Sequence, residues 1–456
     1  MSSKTLSSLF LANKFLPPYS STAINHQKST YSTNKFIPYK PQNGNKFFCL
    51  AKSNSDTRNE DVVIVGAGIV ELLYDNETLL MLYERLGIPS LVLEQSDSLR
   101  EGGTSLSLFK NGWKVLDILG VGNELRTQFL QMQGMTIKTD EGKELKSFEF
   151  KDVDPSQEVR AVERRVLLQT LADALPPNSV QFSSKLAKIE TNQGTGETQL
   201  ELTNGAKLSA KVVVIGCDGI RSQIARWMGF PEPKYAGHCA IRGLAVYSEG
   251  QPHQPRVSYI YGRGVRAGFV PVSPTKVYWF ICYNRSSPGP KISKPLEVKR
   301  QALDLVRNWP SELLTSIDLT PEETISRAAL EDRWLWPTLT PPVSKGGVVL
   351  AGDAWHPMTP NLGQGGCCAL EDAIVLAKKL SRAINHGQGS IEDAMKSYGD
   401  ERWARVFPLT IRANLVGNLL QWENPAVCAV RNGIVIPKVV QIGPLLEHTN
   451  FASEPL

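Results

Sequence analysis

A buried strand that runs into a glycine-rich turn constrains the fold of this chain more than any other feature. Four β-branched residues, Val62–Val65, come directly before Gly66 and Gly68. A strand followed by G-x-G is typical of a βαβ unit, whose glycines allow a tight turn and a close approach of the backbone to a diphosphate. The third glycine position of this pattern holds Glu71. The sequence therefore predicts a dinucleotide-binding unit with an acid where helix and strand normally pack closely.

The second strand of this unit ends in an acid. Ser90–Leu93 is short and apolar, and Glu94 follows it directly. In dinucleotide sites an acid at this place binds the ribose, usually about 20 residues after the glycines, and Glu94 lies somewhat farther on. A βαβ unit that binds no ligand would show the same pattern, so the other motifs have to decide.

The composition narrows the class of protein. With 456 residues the chain is long enough for two domains. It has no run of about 18 or more apolar residues, so no transmembrane helix is predicted. Its seven cysteines form no C-x-x-C pair, which favours free thiols in a reducing compartment and no metal site.

The first 55 residues differ from the rest of the chain in charge. They contain seven lysines, no arginine and no acid, and serine and threonine recur throughout. This composition is typical of a plastid transit peptide and predicts a chloroplast location, with a disordered basic tail as the alternative. Removing the seven lysines changes the formal net charge from +5 to −2, so nucleic-acid binding has little support.

The pattern of strands and helices changes along the chain. Residues 160–175 have helical spacing of leucines, residues 236–335 favour antiparallel strands, and a buried strand over 346–351 precedes a predicted helix from Gly366 to Ile384. The predicted regions are a disordered transit peptide (1–55), a nucleotide-binding domain in two parts (60–235 and 336–390), an inserted antiparallel-sheet domain (236–335) and a C-terminal helical region (391–456).

Two further motifs directly follow predicted strands. Asp218 and Gly219 come after the strand 212–215, and Asp353 opens a glycine-rich turn that ends at Gly366. An acid at a strand end before a helix binds polar cofactor groups through side chain and backbone together, and Asp353 suits the hydroxyls of a ribityl chain. Each motif alone would suit a structural turn. Three such motifs in order, each after a strand, favour a cofactor site.

With these motifs the chain resembles the single-component, FAD-dependent aromatic-type monooxygenases of the p-hydroxybenzoate hydroxylase fold. It is most similar to plant plastid members related to zeaxanthin epoxidase, often labelled 3-hydroxybenzoate 6-hydroxylase-like, and the resemblance extends from Glu60 to Pro455. It implies an α/β fold: a Rossmann-like FAD-binding domain with an inserted antiparallel-sheet substrate domain and C-terminal helices. It assigns the ADP half of FAD to Gly66, Gly68 and Glu94, a flavin contact to Arg164, a motif serving FAD and NAD(P)H to Asp218 and Gly219, the ribityl chain to Asp353, and the isoalloxazine ring to Pro360, Leu362 and Gly363.

The chain departs from the family pattern in the turn after the first strand. The family continues G-x-G-x-x-G into a helix of small residues, whereas residues 70–77 are bulky and acidic and the segment up to Gly87 is longer. A poorly satisfied carboxylate at Glu71 beside a diphosphate would cost about 1–3 kcal/mol or more. Two explanations stay open: a weakened or non-catalytic member of the family, or an exon-boundary error in this segment. The otherwise intact pattern favours the second.

The resemblance implies an enzyme that uses NAD(P)H and O2 and inserts one oxygen atom into an apolar or aromatic small molecule through a flavin hydroperoxide. The chain has no second G-x-G-x-x-G, so NAD(P)H would bind transiently as a co-substrate. Tyr278-Trp279-Phe280 and Phe269 could face an apolar pocket under the flavin, or form ordinary sheet core. Arg242 and Arg266 could bind an acidic substrate or the nicotinamide cofactor, although solvated surface is the commoner setting of an arginine. The catalytic acid–base residue is unassigned.

Two other classes of protein share these features. A flavin-dependent reductase on the same fold would contain all three motifs, and oxygen consumption linked to NAD(P)H separates it from a monooxygenase. A non-catalytic FAD-binding or regulatory protein is the other alternative, suggested by Glu71. The predicted partners are a small-molecule substrate and O2, without nucleic acid or a membrane span, and peripheral contact with a membrane stays open.

Overall fold

Short strands and helices alternate along the described part of the chain. The structure is a computed structural model that describes residues 57–66, 75–99, 104–192, 194, 196–290, 292, 294–387 and 389–452. The strands within these residues are β1 (Arg58–Val65), β2 (Ser90–Leu93), β3 (Ser105–Leu108), β4 (Gly134–Thr139), β5 (Glu144–Glu149), β6 (Arg160–Glu163), β7 (Val180–Gln181), β8 (Leu186–Thr191), β9 (Thr198–Leu202), β10 (Lys207–Gly216), β11 (Lys234–Val246), β12 (Arg256–Tyr261), β13 (Val265–Ser273), β14 (Lys276–Asn284), β15 (Ser326–Asp332), β16 (Ser344–Lys345) and β17 (Val348–Leu350). The helices are α1 (Asp75–Arg85), α2 (Lys110–Ile118), α3 (Gly122–Gln128), α4 (Arg164–Asp173), α5 (Gln223–Met228), α6 (Pro295–Leu305), α7 (Ser311–Asp318), α8 (Gly365–His386), α9 (Ile391–Leu420), α10 (Pro425–Val430), a π-helix (Arg431–Val439) and α11 (Ile442–Leu446).

The first sheet is built around parallel strands in the order β17-β10-β1-β2-β7. Val62–Val65 in its centre are at most 3% exposed, as a parallel strand covered on both faces requires. In the register Val65 lies beside both Leu93 and Gly216, and Gly216 lies beside Leu350. Four parallel strands therefore end at the same level, and the segments that follow them share one edge of the sheet.

The second sheet has the strand order β15-β11-β14-β13-β12-β4-β5 and is antiparallel except for the β12–β4 pair. One face buries Trp279 and Phe269 against α6 and α7. Val270 and Leu244 on the other face join the core cluster that contains the first sheet. The predicted α/β fold class is confirmed, and β4 and β5 join this sheet from a part of the chain that precedes residue 236.

Two local expectations are corrected by the structure. Residues 160–163 do not continue the helix that follows them, because they form β6, which pairs antiparallel with β3. Trp279 and Phe269 belong to the core beneath the sheet, whereas Tyr278 and Phe280 lie on the face toward the first sheet. The period-2 geometry of a strand separates these neighbours, so only half of this aromatic run can face a ligand.

The C-terminal region is helical, as its sequence predicts. None of the helices among the described residues is by itself long and apolar enough to cross a membrane. The helical stretch Pro425–Val439 and the following Ile442–Thr449 are apolar enough when taken together, but they meet at an angle of 94°.

Replacing Trp279 by alanine should lower the free energy of unfolding by about 3–5 kcal/mol. The indole is fully buried, and its Nε1 donates to Oγ1 of Thr320 over 2.7 Å. Gly243 leaves space for the ring, since a Cβ there would lie 2.6 Å from Cζ2 of Trp279. Urea unfolding followed by circular dichroism measures the loss. Leu339→Ala, at a side chain 80% exposed, is the control and should change stability by less than about 0.5 kcal/mol, so equal losses would contradict the packing argument.

Candidate active site

The predicted motifs meet along the carboxyl edge of the first sheet. Each lies within three residues of the end of one of the aligned parallel strands: Gly66 after β1, Glu94 after β2, Asp218 after β10 and Asp353 after β17. Backbone pairing continues into these positions, since Gly66 N donates to the carbonyl of the last β2 residue over 2.9 Å. The carboxyl edge of a parallel sheet is where ligands bind in open α/β folds. Four segments that are far apart in sequence therefore form one site.

Gly66 is required by the close approach of two strands. Its φ is +93°, and a Cβ at this position would lie 2.4 Å from Cα of Asp218. Any side chain there would push the turn after β1 away from the turn after β10. Gly68 and Glu71 lie outside the described residues, so the roles predicted for them stay predictions.

Glu94 is a buried carboxylate at the end of β2. Glu94 is 2% exposed, and its Oε1 accepts a hydrogen bond from Ser96 N over 2.7 Å. This bond fixes the carboxylate at the edge of the sheet. An acid in this place has the position and chemistry to accept hydrogen bonds from ribose hydroxyls.

Asp218 caps the helix that follows it. Its carboxylate accepts hydrogen bonds from the Ser222 hydroxyl and from Gln223 N, the latter over 2.6 Å. Burial raises the pKa of Asp218, although these hydrogen bonds act in the opposite direction. Gly219 turns the chain with a φ of +74°. The structure thus gives this carboxylate a capping role, and the cofactor role implied for Asp218 and Gly219 stays a prediction.

Arg164 and the turn at 360–363 lie in positions set by their neighbours. Arg164 is the first residue of α4, and its backbone N donates to Thr104 O over 3.2 Å. Pro360 and Leu362 bound a single 3-10 turn, which Gly363 closes with a φ of +63° and a bond from its N to Pro360 O over 3.0 Å. The flavin contacts implied for these residues stay predictions.

One buried arginine holds the turn after β17. Arg333, 4% exposed, donates from Nη1 to the carbonyl oxygens of Ala354 and Trp355 over 2.7 and 3.1 Å, and from Nε to that of Pro231. Burial lowers the pKa of Arg333 to about 10. The side chain of Asp353, itself 7% exposed, therefore projects from a backbone that is fixed from behind. Local sequence patterns had not singled out Arg333, because its partners lie far away in the chain.

A buried ionic network holds the same turn from the side of α8 and α9. Asp372 accepts hydrogen bonds from Gly352 N over 2.9 Å, from His356 Nε2 over 2.5 Å and from Arg402 Nε over 2.6 Å. All three side chains are at most 1% exposed. Burial by itself would raise the pKa of Asp372, but its interactions with His356 and Arg402 outweigh this effect and lower the pKa to about 2. His356 is thus a structural partner within the network.

Glu371 extends this network to the glycine-rich turn. Its carboxylate accepts hydrogen bonds from Arg405 over 2.6 and 2.8 Å and from Asn111 Nδ2 over 2.7 Å, and Asn111 Nδ2 also donates to Gln364 Oε1. Within the part of the chain that the structure describes, Gln364 Nε2 and Asn111 Oδ1 are buried and have no hydrogen-bond partner. Buried amide groups are costly unless paired, so this turn fits a bound group that supplies a donor and an acceptor.

Arg266 connects the second sheet to this turn. It is 3% exposed, Nη2 donates to Oδ1 of Asn361, Nε donates to Oε1 of Gln421 over 3.1 Å, and the guanidinium lies 6.0 Å from the ring centroid of Phe280. Among the described residues no carboxylate forms an ion pair with it. The expectation that Arg266 lies on the solvated surface is therefore wrong. A buried cation without a counter-ion is costly, which makes this position a candidate for binding an anion.

The arrangement defines a flavoprotein-like architecture, with a nucleotide-binding sheet edge on one side and an antiparallel sheet facing it. The model of the FAD-binding domain family matches residues 59–412, and the chain belongs to this family. The buried carboxylate of Glu94 and the unpaired amide groups of Asn111 and Gln364 fit such a cofactor.

Similar proteins define the enzyme class. Monooxygenase 2 of Arabidopsis thaliana is 35% identical over 382 residues, which cover 80% of this chain and 91% of that protein. Chloroplastic zeaxanthin epoxidase of an Oncidium hybrid is 31% identical over 258 residues, or 54% of this chain and 37% of that protein. Klebsiella pneumoniae HpxO, solved with FAD and uric acid, has a TM-score of 0.72 at 22% identity, covering 84% of this chain and 93% of that one. The chain is an FAD-dependent monooxygenase, which confirms the predicted enzyme class.

Replacing Asp372 by asparagine should remove about 3–5 kcal/mol of stability at pH 7, because Arg402 and His356 lose a buried partner. The folded-state pKa of about 2 lies below the ordinary value of 3.8, so the carboxylate stabilises the fold above about pH 4. About 2 kcal/mol of this contribution disappears as the pH falls from 4 toward 2. Urea unfolding at a series of pH values measures the difference between the two proteins.

Asp304→Asn is the matched control for this prediction. Asp304 pairs with Arg307 at the surface, where its side chain is 68% exposed, and such pairs contribute at most about 1 kcal/mol. The stability difference between Asp372→Asn and the unmodified protein should shrink on acidification. A difference that is independent of pH, or as small as that of the control, would show that the network does not depend on this carboxylate.

Proposed function

We propose that this monooxygenase consumes NAD(P)H and O2 and hydroxylates an aromatic small molecule that carries a negative charge. Bound FAD supplies the redox and oxygen chemistry, and the protein supplies binding, orientation and exclusion of water. Gly66 and Glu94 would hold its nucleotide half, and the turn that runs from Asp353 to Gly363 would hold its flavin half. NAD(P)H acts as a transient co-substrate, since the sequence has no second dinucleotide-binding fingerprint.

The observation that carries the substrate class is the buried guanidinium of Arg266 on an aromatic face. Arg266 hydrogen-bonds Asn361 in the turn proposed to hold the flavin, and it is buried without a carboxylate among the described residues. Guanidinium binds a planar carboxylate through two parallel hydrogen bonds, which the neutral amide oxygens around it do not reproduce. An anionic substrate would therefore supply the missing counter-ion.

The same face carries aromatic side chains that could contact an aromatic substrate. Phe280 forms edge-to-face contacts with Tyr259, with ring centroids 6.0 Å apart and an interplanar angle of 66°. Gly268 lies between them on β13, and a Cβ there would be 2.7 Å from Cζ of Phe280. Aromatic rings favour offset or edge-to-face contacts with one another, so this face suits a planar substrate. HpxO contains uric acid, a planar organic acid, which is consistent with this substrate class.

The direct test measures flavin, reductant and oxygen in the same preparation. The purified protein should show flavin absorbance that survives gel filtration, and addition of an aromatic carboxylate should accelerate oxidation of NADH or NADPH together with O2 uptake. Isotopically labelled O2 should place one labelled atom in the product. A colourless folded protein would favour the non-catalytic alternative, and NAD(P)H oxidation without labelled product would favour a reductase.

Changing Arg266 tests the substrate class. Arg266→Gln should raise the KM for an aromatic carboxylate by about 10- to 100-fold, because a hydrogen bond to a charged group contributes about 1.5–3 kcal/mol. The KM for the corresponding neutral amide should change little, and Arg266→Lys should recover part of the loss. Arg263→Gln, at an exposed arginine on the preceding turn, is the matched control. Equal effects on the charged and the neutral ring would rule out an anion-binding role.

A plastid location is proposed for this enzyme on the composition of residues 1–55, which have seven lysines and no acid. Residues 1–55 fused to a fluorescent protein should direct it into chloroplasts of leaf cells and be cleaved there. Replacing three of the lysines by glutamate should abolish import, because acids are rare in transit peptides. Cytosolic fluorescence of the unmodified fusion would contradict the proposed location.

A further inference from the structure

Large apolar side chains are exposed at high density on the C-terminal helices. Among the described residues, five of the eleven large hydrophobic side chains that are exposed lie within residues 415–439. We call them the C-terminal apolar patch: Leu415, Trp422, Val430, Ile434 and Val439, each 38–52% exposed. Single exposed apolar residues are ordinary, whereas a cluster of them marks a surface that binds something.

The helical stretch Pro425–Val439 is apolar on both sides: it buries Cys428, Val435 and Ile436 together with Arg431, and it exposes further apolar side chains. Arg431, 2% exposed, points inward, where it donates to the carbonyl oxygens of Gly262 and Leu420 and lies over the ring of Tyr261. Val430 and Ile434, four residues apart, lie on the outward side and are about half exposed. A surface helix normally presents polar residues on the side opposite its buried apolar face. The outward face of this stretch therefore fits an apolar neighbour outside this chain.

The charge of this segment narrows the kind of neighbour. Residues 425–446 contain Arg431 and Lys438 but no aspartate or glutamate. Lys438 is exposed, and Lys146 lies beside it, where its Nζ donates to Pro437 O over 2.7 Å. An acid flanks the segment at each end: Glu423, which accepts a hydrogen bond from Asn284, and Glu447, which is exposed. Within residues 425–446 the exposed apolar side chains are accompanied by the exposed cation of Lys438 and by no acid, which favours an anionic lipid surface as the neighbour.

The length of the stretch favours lying on a bilayer over crossing it. Fifteen helical residues span about 22 Å, less than the hydrocarbon core of about 30 Å, and the chain then turns by 94°. Trp422 of the patch also lines a cavity of about 410 Å³, together with His238 and Gln421. Gln421 accepts the hydrogen bond from Arg266. One residue of the patch, Trp422, thus lines the same cavity as the glutamine that contacts the proposed substrate-binding arginine.

We propose that the C-terminal apolar patch docks on the surface of an anionic lipid bilayer with the cavity opening toward the lipid. Val430 and Ile434 enter the acyl boundary, and Lys438 and Lys146 contact the headgroups. The consequence that substrate enters from the membrane rests on the proposed function, whereas docking itself does not. Docking is measured without turnover, so failure of one proposal can be distinguished from failure of the other.

Flotation of the full chain with vesicles tests the docking. The protein should bind vesicles of phosphatidylcholine with phosphatidylglycerol more tightly than vesicles of phosphatidylcholine alone. The double variant Val430→Ser, Ile434→Ser should weaken binding at least about 10-fold, since each substitution removes several apolar carbons from the interface. Leu339→Ser, an equally apolar site at 80% exposure elsewhere, should leave binding unchanged, and Lys438→Gln should reduce the preference for anionic lipid.

A second measurement separates the patch from the basic leader, which is identical in all variants. Brominated lipid should quench the part of the fluorescence that Trp422→Phe removes, because only a docked patch brings Trp422 to the acyl chains. Circular dichroism and flavin content confirm that each variant is folded. Unchanged flotation of the double variant, or absence of quenching at Trp422, overturns the proposal. Self-association that the double variant abolishes overturns it too, since a second copy would then cover the patch.

Discussion

The carboxylate of Asp372 is the point on which the site depends. It is fully buried, and it joins the backbone of the turn after β17 to a histidine in that turn and to an arginine on α9. Without water to replace any partner, each group is stable only while the others are in place. The turn that carries Asp353 is thereby fixed to α8 and α9, the two longest helices among the described residues, and its position becomes a property of the helical core.

Local sequence patterns predicted the parts of the site that follow strands. Apolar runs such as Val62–Val65 indicate parallel strands, and parallel strands must end at a common edge, so the convergence of Gly66, Glu94 and Asp353 was foreseeable. Pairings across long separations were not. Arg333 contacts carbonyl groups about twenty residues ahead and Pro231 about a hundred behind, and no local period encodes such contacts.

The second sheet also contains pairings that local sequence patterns could not predict. The hydrophobic pattern identified its strands in residues 236–335, but gave no reason to add β4, which pairs with β12, or β5, which pairs with β4. Arg266 looked like a surface residue because single-sequence reasoning weighs residue type, not the face of a strand to which it belongs. The register explains its burial, because Arg266 lies opposite Cys282 on the face of the sheet that carries Phe280.

Side chains along β14 alternate between the two faces of the sheet, so neighbouring residues have to meet different requirements. Val277, Trp279 and Ile281 are fully buried beneath the sheet, whereas Tyr278 and Phe280 line the face toward the turn. The residues on the face toward the turn can therefore change without altering the core of the sheet. Paralogues with different substrates should vary at Tyr278 and Phe280 and keep Val277, Trp279 and Ile281. Directed evolution of this enzyme should therefore randomise Tyr278 and Phe280.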